Sequence, residues 1–523
     1  MNEALIKQGE WVEIKPMVFQ RACIGSEHSA SYNQNIADGH TELSFAVPFS
    51  ISKSMDELVT ACKHAWFLCR SQHPEIAIEL STDLCIPQLM TYKYLSSLED
   101  AETEEWMDET FRIVKDRSYQ DVLEMTYSHR LTTRGKRAIM WLVLDTNERL
   151  ADSQKCHCLI LNASHAPMDF FSMTNILDHY LAQIVKGGDN VEAVGSRDAA
   201  NLIKTLPVNP INVYDKQYKP TQGQIEEATS QAMRQLSLYK EKMGQSVALY
   251  PEHDYQFREH GTECLLEKWS RRTSNSLLSA LKEHNVGITY AGAAALVLAT
   301  YELFGKGHET GALLGMTRTA SRWITTIAID SSRRAIVPNT SDVMVLWIPF
   351  PKDMRVNQFN RRELLLYIGK RIKEEVAKHL QSPHYLAAVP YMCDLIVQTM
   401  HAQKTLDDAI EAHGTRHGED SANLVGPSAP GFSPQGVVKL DQQYTHGDTM
   451  LERHDLICSG RQIGHSPWIG MYTLDGRLRF TVGYDCKYYK RETMTKFLDL
   501  YQENLGSAID SVSTSPLSVT SQL

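Results

Sequence analysis

The chain has 523 residues, 42% hydrophobic and 22% charged. That is ordinary for a globular protein and enough to bury one large core or two medium ones. The formal net charge of −10 at pH 7 argues against a nucleic-acid binder, because phosphate contacts need a basic face.

No run approaches the ~18 consecutive apolar residues of a membrane span. The N-terminus, MNEALIKQGEWVEIK, lacks the basic start and apolar core of a secretory signal. The ten cysteines form no CxxC pair and read as reduced thiols of a cytoplasmic protein. Strands and helices then alternate. SMDELVTACKHAWFLCRSQHPE opens with Ser54 and Glu57 at capping-box spacing and continues with apolar residues at helical spacing. EIAIEL follows as a short strand, and EEWMDETFRIVKDR as a second helix. AIMWLVLD (138–145) and CHCLILNAS (156–164) are nearly continuous apolar strands, a pattern of burial on both faces. DFFSMTNILDHYLAQIVKG is a helix with Gly187 as its stop.

Character changes near residue 203. LPVNPINVYDKQYKPTQG holds three prolines and little periodicity, and a polar helix follows over 224–243. The organisation read from this is a first half over 1–205, a crossover over 206–260, a second half over 261–512 and a loose tail over 513–523. The second half begins with the strand ECLLEKWS. The helix SNSLLSALKEHN, capped by Ser274 or Asn275, and an Ala-rich helix after Thr289 come next. GALLGMTR and DVMVLWIPF are expected as inner strands, RRELLLYIGKRIKEEVAKHL as an amphipathic helix, and 403–434 as a long loop. WIGMYTLDGRLRFTVGYD reads as a hairpin turning at Asp475-Gly476, and ETMTKFLDLYQENLGSAI as the closing helix.

LILNASHAPMDFF (159–171) carries the candidate chemistry. A buried strand hands over to a helix there, and His165 and Asp169 form an HxxxD across the junction. With twenty histidines in the chain, roughly one such spacing arises by chance, so position weighs more. Strand ends in α/β proteins face the crevice where ligands bind. Pro167 suits a helix start, and Asp169 falls in the first turn, where a carboxylate complements the helix dipole. One reading makes His165 a general base, since a hydroxyl needs its proton removed to attack an acyl group. The other makes Asp169 a helix cap and His165 a locally satisfied polar residue. The pattern leaves both open. No metal site is expected. In a strand, Cys156 and Cys158 share one face while His157 takes the other, and EAHGTRHGED (411–420) lacks an ordered scaffold. GPSAPG around Ser428 is not a GxSxG elbow.

LILNASHAPMDFFSMTNILDHYLAQI resembles the active-site segment of the CoA-dependent acyltransferase superfamily, which includes chloramphenicol acetyltransferase, the plant BAHD enzymes and peptide-synthetase condensation domains. GALLGMTR followed by DVMVLWIPFP, and LRFTVGYDCKYYKRETMTKFLDLYQENL, are similar to later family elements in matching order over roughly 40–510. Length and simplicity look most like the fungal trichothecene 15-O-acetyltransferase type. There are departures. The BAHD DFGWG element is absent. Ser164 and Phe170 replace the first histidine and the glycine of the condensation HHxxxDG, and no carrier segment follows.

The resemblance implies an α/β fold of two chloramphenicol-acetyltransferase-like halves, each a mixed β-sheet with flanking helices, meeting at a central tunnel. His165 would stand mid-tunnel as general base. Asp169 would point away and pair with an arginine of the second half, Arg318 by order, with Arg322 in reserve. Ser428 or Ser433 could donate to the oxyanion, and Trp323, Trp347 and Trp468 could line an apolar acceptor pocket. The activity implied is O-acyl transfer from acetyl-CoA, a co-substrate and not a bound cofactor, to a small-molecule alcohol such as a terpenoid. A cytoplasmic monomer would act without an acyl-enzyme. A carrier-dependent condensation enzyme, or a binding or cyclisation scaffold without acyl transfer, are the alternatives.

Overall fold

The computed structural model describes residues 2–81, 88–95, 100–147, 154–187, 199–252, 254–255, 258–319, 328–330, 333–334, 341–351, 360–379, 383–412 and 427–509. Two seven-stranded sheets dominate a mixed α/β architecture, and a four-stranded sheet joins Val12–Lys15, Val18–Ala22, Leu89–Lys93 and Glu79–Leu80. In the first large sheet His157–Ala163 lies between Leu43–Ile51 and Ile139–Val143, with Phe111–Val114 beyond. All seven residues of His157–Ala163 are buried. Alternation sends Leu159, Leu161 and Ala163 to the face covered by helices Met55–Gln72 and Phe170–Lys186. Cys158 and Ile160 go to the face covered by helix Tyr119–Ser128. This cover from two sides explains the continuous apolar run, although both pairings are antiparallel. The predicted capping box at Ser54 is present, and Gly187 ends helix Phe170–Lys186 in the left-handed region at φ 68°.

The second large sheet runs Thr262–Lys268, Arg477–Asp485, Trp468–Leu474, Gly431–Val437, Gly311–Thr319, Ser341–Pro349. The predicted hairpin turns at Asp475 (φ 52°) and Gly476 (φ 70°). The Ala-rich helix Ile288–Phe304 is buried from Ala291 to Phe304. Its small residues let it close onto the sheet: a methyl on Gly292 would stand 2.8 Å from the Phe432 ring.

The halves interlock. Strands Thr449–Arg453 and Ile457–Gly460 leave the second half in sequence and pair with Leu43–Ile51 of the first sheet. Tyr472 and Leu474, on a strand of the second sheet, belong to the first half's core. Buried Arg453 ties the exchanged strand to the hairpin turn, donating to Asp475 at 2.9 and 3.0 Å and to the Asp441 carbonyl at 3.0 Å. Arg461 donates to the Asp38 carboxylate at 2.6 Å and to the Ser128 carbonyl.

Several expected elements differ. The first half of EIAIEL belongs to a 3-10 turn, Pro74–Ala77, because Pro74 presets a helical φ; only Glu79–Leu80 pairs as strand. The helix expected through residue 117 stops at Thr110, and Phe111–Val114 becomes a strand parallel to Ile139–Val143, a partner local periodicity cannot show. The cap of the next half's first helix is Ser270, whose Oγ accepts from Thr273 N. Helix Pro210–Tyr218 forms in the proline-rich crossover, using Pro210 at its first turn. Among the described residues Ser341–Pro349 ends the sheet, and helix Gln222–Lys242 packs against it. The first part of the expected loop 403–434 is the end of helix Val389–Ala412. That helix is held to helix Ser26–Ile36 by polar contacts: His28 to Asp394 at 3.1 Å and Tyr32 to His401 at 2.5 Å. Residues 413–426 and the expected tail lie outside the described residues.

Two expectations follow from the seam. Arg453→Met strips Asp475 and the Leu440 and Asp441 carbonyls of their donor, and should cost about 1.5–3 kcal/mol, read as a lower urea midpoint. Glu42 is buried beside Arg461 and accepts from Leu131 N at 2.6 Å. Burial raises its carboxyl from 4.5 to about 8. Between those values the folded chain holds a proton that the unfolded chain has released, so this group lowers stability as pH rises. Glu42→Gln should therefore melt higher than wild type above pH 8 and alike below pH 4.5.

Candidate active site

The strand His157–Ala163 ends at a turn that its neighbours hold rigid. Asn162 Nδ2 donates to the Leu43 carbonyl at 3.0 Å and to Ser44 Oγ at 2.9 Å. Ser164 Oγ donates to Gln34 Oε1 and accepts from Ala166 N at 3.2 Å. Asp169 is the N-cap of helix Phe170–Lys186. Its Oδ1 accepts from Ser172 N at 2.8 Å, and its own N–H donates to Ser172 Oγ at 2.7 Å. These bonds satisfy orphan donors at the helix start. The carboxylate is therefore committed to the turn, and it is only 3% exposed. Met168 and Phe170 pack into the core, and Phe170 meets Phe45 at 5.2 Å and Tyr472 at 5.7 Å between centroids. From His157 to Phe170, His165 alone is not buried. The turn thus presents one imidazole at the junction of the two halves.

One further histidine, His40, stands near it, with Asp485 beyond. Residues 40–42 precede strand Leu43–Ile51, whose register pairs Leu43 with Ala163 and, on its other edge, with Gly460. His40 Nδ1 accepts from Ile463 N at 3.1 Å. Burial lowers His40 to about 4; the Asp485 carboxylate opposes this, while Arg461 and His165 add to it. Buried Asp485 accepts from Gly261 N at 3.1 Å, Gly464 N at 2.9 Å, Lys487 N at 3.0 Å and His260 Nδ1 at 2.7 Å. No sequence motif marks His40; its place depends on pairing between strands distant in the chain.

The other predicted residues are dispersed. Arg318 lies on strand Gly311–Thr319, its backbone opposite Asp342; its side chain, with Arg322 and Trp323, lies outside the described residues. Ser428 is buried, and its Oγ donates to the His465 carbonyl at 2.9 Å. Ser433 accepts from Thr317 Oγ1 at 3.0 Å. It stands where strands Gly311–Thr319 and Gly431–Val437, paired only through Gly315–Met316 and Gly431–Phe432, part from each other. Trp468 fills the space over Gly431, where a methyl would lie 2.4 Å from the ring. Trp347 is elsewhere, in a groove of about 460 Å³ with Arg234, Arg371 and His379, and no residue of the His165 turn lines it.

Among the described residues no group of three or more His, Cys, Asp or Glu side chains could hold a metal ion. Within Cys156-His157-Cys158, His157 Nδ1 accepts from Asp145 N at 3.1 Å, and burial pushes the Cys158 thiol well up. Of EAHGTRHGED, residues 413–420 lie outside the described residues.

No family model matches the chain. The chain is 32% identical to the acyl-CoA-dependent acyltransferase MAC1 of Mycosarcoma maydis, covering 94% of this chain and 88% of that protein. It is 31% identical to the protein of that name from Pseudozyma antarctica (strain T-34), covering 94% of each. Among solved structures, the TRI3 trichothecene 15-O-acetyltransferase of Fusarium sporotrichioides superposes with TM-score 0.76 at 15% identity, covering 95% of this chain and 98% of that one. The condensation domain of the monacolin K polyketide synthase MokA gives 0.56 at 10% identity, covering 96% and 98%. These two likenesses establish the fold. The full-length identity to the first two proteins goes further, and the chain belongs to the acyl-CoA-dependent acyltransferases.

Proposed function

We propose that this acyltransferase moves its acyl group from acyl-CoA to a hydroxyl of a small-molecule alcohol, with His165 as general base. The observation that carries this reading is that His165 alone keeps partial exposure on a turn whose other residues are buried. His165 takes the hydroxyl proton as the oxygen attacks the thioester carbonyl. The tetrahedral oxyanion collapses, the C–S bond breaks, and the CoA thiolate receives the proton from His165. Ser164 spends its hydroxyl on Gln34 and Ala166 N–H, which supports direct transfer without an acyl-enzyme on that residue. An acetyl donor and a terpenoid-like acceptor are the specific form proposed. Their support is the shared fold with a protein named as a trichothecene 15-O-acetyltransferase.

The test follows thiol release from acetyl-CoA and longer acyl-CoAs with a panel of polycyclic alcohols. Acceptor-dependent release should fall about 10²-fold or more in His165→Ala. Release that ignores the substitution would remove His165 as the base.

Asp169 offers a second test. As a cap alone, Asp169→Asn should be nearly neutral, while Asp169→Ala should cost about 0.5–2 kcal/mol. The proposed pairing with Arg318 would instead make Asp169→Asn cost roughly 3–5 kcal/mol, by leaving a buried cation unpaired. Denaturation midpoints of the two variants separate these cases.

A further inference from the structure

The tautomer of His40 is set by a backbone group. A peptide N–H only donates, so the 3.1 Å bond from Ile463 N requires an unprotonated Nδ1. The proton of the neutral ring is then on Nε2. Burial, with Arg461 and His165 adding their charges, keeps the ring neutral near physiological pH against the pull of Asp485. His40 is thus a fixed N–H donor, and among the described residues no protein group is hydrogen-bonded to its Nε2.

The turn that aims this ring is strained. Asp38 (φ 45°), Gly39 (φ 81°) and Thr41 (φ 73°) all adopt the left-handed region. For a β-branched residue such as Thr41 that is a marked outlier. Strain of this kind persists where the surroundings over-determine the backbone, and it gathers at functional sites. Here His40 N donates to the Ala37 carbonyl at 2.9 Å, Thr41 N to the Arg461 carbonyl at 2.9 Å, and Arg461 N to the Glu42 carbonyl at 2.7 Å. Arg461 also holds the Asp38 carbonyl at 2.7 Å and its carboxylate at 2.6 Å. Leu43 pairs with Ala163, so the strand that follows His40 begins beside the end of the strand that leads to His165. Ile463 holds one side of the His40 ring, and His165 is near enough for the two charges to repel.

We propose that His40 is a second substrate-contacting residue: its Nε2–H donates to the oxygen of the acceptor hydroxyl while His165 removes that hydroxyl's proton. This rests on the reading of His165 as the base. The donated bond orients the hydroxyl so that its hydrogen faces His165. It strengthens as the oxygen gains negative charge, so it favours the transition state over the bound alcohol. His40 keeps its own proton throughout; the proton in transit goes from the alcohol to His165 and on to the CoA thiolate.

Two substitutions separate this role from a structural one. Asparagine places an amide oxygen near the Nδ1 position and keeps an acceptor for Ile463 N–H. Glutamine reaches the Nε2 position with an amide N–H. His40→Asn should fold and lower kcat/KM for the acceptor on the order of 10²-fold, with KM for acetyl-CoA unchanged. His40→Gln should recover at least about tenfold of that loss. The acceptor is the panel alcohol with the highest turnover, or water if none is used. Asparagine at wild-type rates, or glutamine worse than asparagine, overturns the proposal. Nitrogen-15 histidine spectra of the wild-type chain, assigned with His40→Asn, should show the Nε2–H tautomer at neutral pH; a protonated Nδ1 overturns it independently of any acceptor. A loss in His40→Asn with His165→Ala unaffected would support the His40 contact and sink the base. A loss in His165→Ala with His40→Asn unaffected would sink the His40 contact alone.

Discussion

Strand Leu43–Ile51 is paired on both edges, and the rest of the structure depends on those pairings. One edge meets His157–Ala163; the other meets Thr449–Arg453 and Ile457–Gly460, which arrive from the far end of the chain. A strand with one free edge would leave a row of unsatisfied backbone groups and no reason for the halves to stay together. Double pairing removes the edge and fixes the register. Because side chains alternate, a one-residue slip would turn the core face of the strand outward. The register therefore decides more than packing: it sets where the chain leaves the sheet, and hence where His165 stands relative to residues 40–42 and 461–463.

The turn between strand His157–Ala163 and helix Phe170–Lys186 divides its labour between two residues. Asp169 is buried and engaged in the reciprocal bonds of a helix cap with Ser172. His165 is the partly exposed member. An HxxxD spacing is therefore a statement about local geometry: four residues are enough to leave a strand, turn and begin a helix. The carboxylate makes the turn rigid, Ser164 and Gln34 brace it from behind, and the imidazole is held at low entropic cost.

The seam also gathers groups whose ionisation burial has altered. Glu42 is raised and His40 is lowered, each mainly by burial. Both shifts favour neutral forms, so the strand edge beside His165 is held without unpaired charge from these two groups. Asp485 is also buried there, supported by three backbone N–H groups and His260. A carboxylate bonded in this way keeps a fixed geometry and helps anchor the second half at the junction.

Periodicity and capping alone made several features of this protein legible. The helix from Ser54, the helix ending at Gly187, the Asp475-Gly476 hairpin and the buried strand before His165 all follow from interactions within a few residues, which local sequence encodes. The resemblance around HAPMD located the family, and full-length relatives agree with it. Other features needed the folded chain. Phe111–Val114 is a strand because Ile139–Val143 lies beside it, and among the described residues Ser341–Pro349 pairs on one side only, with Gly311–Thr319. His40 carries no motif; pairing across more than a hundred residues and a bond from Ile463 bring it within electrostatic reach of His165. Local sequence determined the turn and its histidine, whereas non-local strand pairing decided what faces that histidine, because register is a property of two segments and neither encodes it alone.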